Sequence, residues 1–297
     1  PDIAGENNYL QGVSCRSTIR CKAVGYHIGS NGTIRTLIES WDGTGWSIVS
    51  SPNFGVNNNY NNLLLGISCP ATYSCKAVGA YTNGAGVTST LIESWNGVAW
   101  SAVSSPNNAT KFNYLDGASC VSTTSCTAVG YYLTPGGVQQ TLIESWDGSS
   151  WSIDSSPNAG TGNNVLRSVA CTGTTCKAVG AAFTGATAAT LVEAFNGSSW
   201  STVTSPNQGT GTNNLNHIAC ASMSSCMAVG SYTTASNVIE TLAESWNGTA
   251  WSILTTPNEG TGANTLNGVA CNSATQCKAV GRYFSTGFVD RTLIETY

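Results

Sequence analysis

Six glutamates, Glu39, Glu93, Glu144, Glu193, Glu244 and Glu295, stand in one recurring phrase, Thr-Leu-x-Glu, in a chain where charged residues make up only 9%. Carboxylates do the acid, base and nucleophile work of glycoside hydrolysis, but there two of them flank a bond in different environments. Equivalent glutamates on a repeated phrase lack that asymmetry, so they are expected to be structural. Four repeats offer a lysine as partner (Lys22, Lys76, Lys177, Lys278), while Thr127 and Met227 replace it in the other two, where backbone or indole N–H groups would serve. Of the six arginines, Arg16, Arg20, Arg35, Arg167, Arg282 and Arg291, only Arg35 and Arg291 share a repeat position, and the set does not form the cluster that a substrate carboxylate would need. There is no Ser/His/Asp arrangement and no phosphate loop. The sequence assigns no catalytic residue, no metal and no cofactor.

Twelve cysteines come as six close pairs: Cys15/Cys21, Cys69/Cys75, Cys120/Cys126, Cys171/Cys176, Cys220/Cys226 and Cys271/Cys277. Zinc sites favour tighter pairs with histidine nearby, and His27 and His217 are the only histidines. One local disulfide per repeat is the expected reading, and it places the chain in an oxidising compartment, secreted or at the cell surface.

A second candidate for binding is an aromatic column two residues beyond each Ala-Val-Gly: His27, Tyr81, Tyr132, Tyr232 and Tyr283, with Ala182 then Phe183 in the fourth repeat. Such a column, with the loops beside it, is suited to line a sugar or peptide site. The tryptophans Trp46, Trp100, Trp151, Trp200 and Trp251 are expected in the core, where they bury large apolar area.

The elements that must carry these residues follow from the repeat. First cysteines recur every 49–54 residues, a period of propellers and superhelical arrays. Each unit holds four β-rich runs separated by Gly, Asn and Pro signals. In the first they are Leu10–Cys15, Cys21–His27, Arg35–Trp41 and Trp46–Ser51, with Asp42-Gly43 opening the last turn and Pro52 ending the last run. The predicted fold is all-β, a six-bladed β-propeller of four-stranded repeats of about 51 residues, in a single domain over 1–297. The repeats are 1–51, 52–105, 106–156, 157–205, 206–256 and 257–297. An open solenoid is the alternative architecture.

The phrase Ser40-Trp41-Asp42-Gly43-Thr44-Gly45-Trp46 resembles the Asp-box of sialidase-type propellers, a Ser-x-Asp-x-Gly-x-Thr-Trp turn between the third and fourth strands of a blade. It is one residue shorter and lacks the Thr before the Trp. Asn96, Asn196 and Asn247 replace the Asp, and Phe195 replaces the first Trp. The resemblance supports the phase of the blades and not an activity. The repeat as a whole resembles tandem units of secreted bacterial proteins without an assigned function.

Net charge is −4 with a pI near 5.1, which gives no electrostatic reason to bind nucleic acid. No stretch approaches the roughly 18 apolar residues of a membrane span. The chain opens on Pro1 without an initiator Met or signal peptide, as expected of a processed or partial chain. It stops after the third run of the last repeat, so the last blade lacks its outer strand within this chain. That leaves Thr292, Leu293, Ile294, Glu295, Thr296 and Tyr297 as a candidate assembly edge, because an unpaired strand is a template for another. Three completions are open: the same polypeptide continuing past one end, a strand donated by a neighbouring subunit, or a last blade of three strands. The expected role is a non-catalytic extracellular structural protein that polymerises by strand complementation, through self-association or with another extracellular protein. The alternative is a multivalent lectin binding glycans through the aromatic column; a glycosidase is the least favoured reading.

Overall fold

Each repeat folds into one antiparallel meander because its punctuation is satisfied locally. The computed structural model describes residues 1–55, 60–108, 111–285 and 289–297. Blade 1 runs Asn7–Ser17, Arg20–Ile28, Ile34–Trp41 and Trp46–Val49, paired in that order. Blades 2 to 5 repeat it as four-stranded sheets, and blade 6 has three strands, Asn264–Ser273, Gln276–Phe284 and Asp290–Thr296. The fold is an all-β, six-bladed propeller. The chain divides into two compact units, Pro1–Gly137 with Leu142–Asp154, and Val138–Thr141 with Ser155–Tyr297.

Three recurrent devices set each blade. The turn before the fourth strand is closed by its Asp or Asn: Asp42 Oδ1 accepts the N–H groups of Thr44 at 2.8 Å and Gly45 at 3.0 Å. Asn247 does the same for Thr249 at 2.9 Å and Ala250 at 3.0 Å, which is why either residue serves. The Asn of each Pro-Asn step pins the start of the third strand, as where Thr90 N–H donates to Asn107 Oδ1 at 3.0 Å. The glycine of Ala-Val-Gly sits at a bulge in the first strand, where a Cβ on Gly25 would lie 1.9 Å from the Tyr9 carbonyl oxygen.

The core lies between sheets. Between blades 1 and 2, Val24 and Ile38 meet Leu64, Ile67, Ala77, Leu91 and Trp100. Blade 2 meets blade 3 likewise through Val78 and Ile92 on Leu115 and Leu142. In the second unit, Val179 and Val192 of blade 4 meet Leu215 and Ile218, and Val229 and Ala243 of blade 5 meet Leu266 and Val269. Within each unit, the trailing face of one blade thus enters the leading face of the next.

All six cysteine pairs are bonded as expected: Cys15–Cys21, Cys69–Cys75, Cys120–Cys126, Cys171–Cys176, Cys220–Cys226 and Cys271–Cys277, each joining the first two strands of its blade. Their placement corrects the picture of a local staple alone. Cys75, Cys126, Cys176, Cys226 and Cys277 are buried. Of these, Cys75, Cys126, Cys226 and Cys277 belong to the apolar clusters between sheets. The alternation of the second strand sends these side chains to the leading face, so they contribute to the core between sheets. Cys21, on the leading face of blade 1, is only half-buried.

Candidate functional site

The glutamates project from the leading faces, and their partners correct the lysine pairing expected above. Ser51, at the end of blade 1, donates to both Glu93 oxygens in blade 2, at 3.0 and 2.9 Å. Ser105 donates to Glu144 at 2.8 Å and Ser156 to Glu193 at 2.9 Å, and Ser205 donates to Glu244. In blade 6 the partner of Glu295 is the Tyr297 hydroxyl. Indole N–H groups do not serve: Nε1 of Trp100, Trp151, Trp200 and Trp251 is buried without a protein partner among the described residues, as is Oε1 of Glu144, Glu193, Glu244 and Glu295.

Strand periodicity explains the miss. Ala23 pairs across from Glu39 but Lys22 from Ser40, so lysine and glutamate of one blade leave opposite faces of its sheet. Lys22, Lys76 and Lys177 enter the next seam and lie over its aromatic ring instead, Lys22 Nζ 3.8 Å from the Trp95 ring centre and Lys76 Nζ 4.0 Å from that of Trp146, whereas Lys278 is exposed and donates to Thr296 Oγ1.

Burial pushes the carboxyls of Glu93, Glu144 and Glu193 up to about 8, against the opposing pull of each serine hydrogen bond. Glu244 is pushed up to about 7 by the same balance. These four are fully buried and have no access to a substrate. His217 is also structural: burial lowers its pKa, and its Nδ1 accepts the Val269 N–H at 3.4 Å. Among the described residues no group of three or more His, Cys, Asp or Glu is placed to hold a metal, and no helix is long and apolar enough to cross a membrane.

The aromatic column consists of buried or half-buried side chains engaged with their own blades. His27 is buried against Glu6. Tyr81 stacks on Phe54 at 4.4 Å, and the Tyr232 hydroxyl donates to Glu240. Tyr81, Tyr132, Tyr232 and Tyr283 pack on the core between sheets. In the fourth repeat the register places Ala182 opposite Asn164, so Ala182 holds the column position and Phe183 is one residue beyond it.

Exposed apolar surface lies elsewhere, on the first and the last blade. On the leading face of blade 1, Leu10 is 50% and Val13 63% exposed, whereas Leu64, Leu115, Leu166, Leu215 and Leu266, the counterparts of Leu10, are at 0%. Trp46 on the same face is 38% exposed, against 7–8% for Trp100, Trp151, Trp200 and Trp251. On the trailing face of blade 6, Val280 is 48% and Ile294 67% exposed, whereas Val24, Val229, Ile38 and Ile92 are at 0%. The strand Asp290–Thr296 is at the open edge of its sheet, with Leu293 and Glu295 buried toward blade 5 and Thr292 and Thr296 exposed.

A column of asparagines escaped the sequence reading. Asn8, Asn62, Asn113, Asn164, Asn213 and Asn264 accept the N–H of the connecting loop, for example Phe54 to Asn62 at 2.9 Å and Glu259 to Asn264 at 2.9 Å. Their constant placement seven residues before the first cysteine was the available signal.

No family model matches the chain, and no curated protein matches it either. Among solved structures, the fungal lectin of Aleuria aurantia, a six-bladed propeller with fucose recognition, aligns with TM-score 0.53 at 10% identity over 96% of this chain and 91% of the lectin. The likeness is one of fold. Trypanosoma rangeli sialidase in complex with the inhibitor DANA aligns with TM-score 0.59 at 9% identity, over 98% of this chain but 55% of the sialidase. YCF48 bound to D1 peptide aligns with TM-score 0.51 at 12% identity, over 97% of this chain and 83% of that one. At such identities neither enzyme nor binding activity transfers from these neighbours.

Proposed function

We propose that this protein is a non-catalytic extracellular assembly module that joins to a second copy of itself, the trailing face of blade 6 docking on the leading face of blade 1. One observation carries the reading: the two exposed apolar faces are the two halves of the interface that already joins blades within each unit. Val280 and Ile294 correspond to Val24 and Ile38, and Leu10 and Val13 correspond to Leu64 and Ile67, which Val24 and Ile38 meet. Exposed apolar surface of this kind marks an interaction site. The open edge of Asp290–Thr296 adds main-chain donors and acceptors to the same end. The contact is heterologous, so it propagates head to tail. Six disulfides suit an oxidising, extracellular setting.

Sedimentation velocity of residues 1–297 from low to high micromolar concentration tests it. The expected result is a concentration-dependent series of larger species, reduced to monomer by Ile294→Asp. A monomer at every concentration, with Ile294 protected from solvent, overturns it.

The second reading, a multivalent lectin, draws on the Aleuria lectin likeness of fold and on the tyrosine column. Glycan-array binding lost in Tyr132→Ala and Tyr232→Ala supports it, and binding indifferent to both removes that column as the site.

A further inference from the structure

Between blades 1 and 2, beside their disulfides, lies a cavity of about 330 Å³ whose walls include Arg16, Arg20, Lys22, Ser40, Tyr73 and Trp95. It carries three cations and no carboxylate. The adjoining turns do not supply one: Asp42 is engaged by Thr44 and Gly45 within its own turn, and the corresponding residue of blade 2 is the neutral Asn96. Lys22 is buried, its ammonium donating to Ser40 Oγ at 3.5 Å and resting on Trp95, with no ion pair among the described residues. A buried ammonium without a counter-charge is unfavourable. Burial, and secondarily the charge of Arg20, lower its pKa.

The charge is particular to this cleft and the cavity is not. The equivalent cleft between blades 5 and 6 has a volume of about 350 Å³, with Met227 in the place of Lys22, Ser225 in that of Arg20 and Tyr297 in that of Trp95. Arg16 stands where the other repeats carry Pro70, Val121, Thr172, Ala221 and Asn272, and Arg20 where they carry Ser74, Ser125, Thr175, Ser225 and Gln276. A repeat needs neither arginine to fold. The three cations meet only in the first repeat, lining a pocket that also offers the exposed ring of Tyr73.

We infer that this cleft binds an acidic sugar, a carboxylate or sulfate on a monosaccharide-sized ring. Arg16 and Arg20 engage the anion in planar, bidentate fashion, Lys22 completes its neutralisation from below, and Tyr73 receives a ring face. The site lies within one seam and does not depend on the assembly reading.

Calorimetric titration with glucuronate, inorganic sulfate and glucose tests it. Glucuronate is expected to bind more tightly than sulfate, with glucose undetected. Arg16→Ala with Arg20→Ala is expected to weaken glucuronate at least tenfold, roughly 1.4 kcal/mol. Lys22→Met, which copies the residue that blade 5 already accommodates, is expected to weaken it similarly, and all variants keep the wild-type melting midpoint within a few degrees. No glucuronate binding, binding indifferent to these substitutions, or equal affinity for sulfate and glucuronate each overturns the inference.

Discussion

Ser51 Oγ reaches both carboxyl oxygens of Glu93, at 3.0 and 2.9 Å, and so carries a hydrogen bond from the end of one blade into the third strand of the next. The same bond recurs from Ser105 to Glu144, Ser156 to Glu193 and Ser205 to Glu244, which makes it part of the cement between sheets. Removing the donor leaves a buried carboxyl without its partner. Ser105→Ala is therefore expected to cost about 1–3 kcal/mol in denaturant unfolding. Ser104→Ala, whose residue has no such role, serves as control.

The pH dependence follows from the raised carboxyls. Their folded pKa values, about 8 for Glu93, Glu144 and Glu193 and about 7 for Glu244, lie above the unfolded value near 4.5. Between those limits the folded state holds protons that the unfolded chain has lost, so stability falls as pH rises. The contribution is fully present below about 4.5 and gone above about 8. Calorimetric melting should decline across roughly pH 5–8, and the Glu93→Gln, Glu144→Gln, Glu193→Gln triple variant should show a flatter profile and a higher midpoint near pH 8. A wild-type midpoint that rises over this range would contradict the assignment.

Trp100 and Trp46 occupy the same repeat position in different surroundings, 7% and 38% exposed. Trp100→Ala is expected to cost about 3–5 kcal/mol, as for a buried aromatic. Trp46→Ala should cost about 1–2 kcal/mol in dilute monomeric protein. Equal costs would mean that the leading face of blade 1 is covered.

Each disulfide closes a short loop between neighbouring strands. A single pair converted to serine, Cys120→Ser with Cys126→Ser, is expected to cost about 2 kcal/mol by loop closure. Full reduction should lower the melting midpoint by far more, measured with and without reductant at fixed pH.

Most of the fold was legible in the sequence because punctuation repeats with it. Asp42-Gly43 and its counterparts mark the turn, Pro52-Asn53 and its counterparts mark the end of the blade, and the strand Ile34–Trp41 was placed within a residue at its start and at its last residue. The seam was not legible. Ser51 lies 42 residues from Glu93, and only the stacking of blades brings them together. Lysine was the plausible partner by charge, yet the alternation of Lys22 opposite Ser40 and Glu39 opposite Ala23 sends the two to opposite faces. Cysteine spacing predicted the pairing but not the burial of Cys176, Cys226 and Cys277, which depends on the neighbouring blade. Repeat consensus also drew attention to the column of Tyr81 and Tyr132, which is half-buried, and away from Arg16 and Arg20, which depart from it.

The central claim is that blade 1 of one copy receives blade 6 of another. Mixing two variants, each spoiled at one end, tests it most directly: Val13→Asp leaves the trailing face of blade 6 intact, and Ile294→Asp leaves the leading face of blade 1 intact. Each alone should sediment as a monomer, and the equimolar mixture should form a defined heterodimer that grows no further. A mixture that stays monomeric at high micromolar concentration, or a single variant that assembles as well as the wild type, would contradict the account.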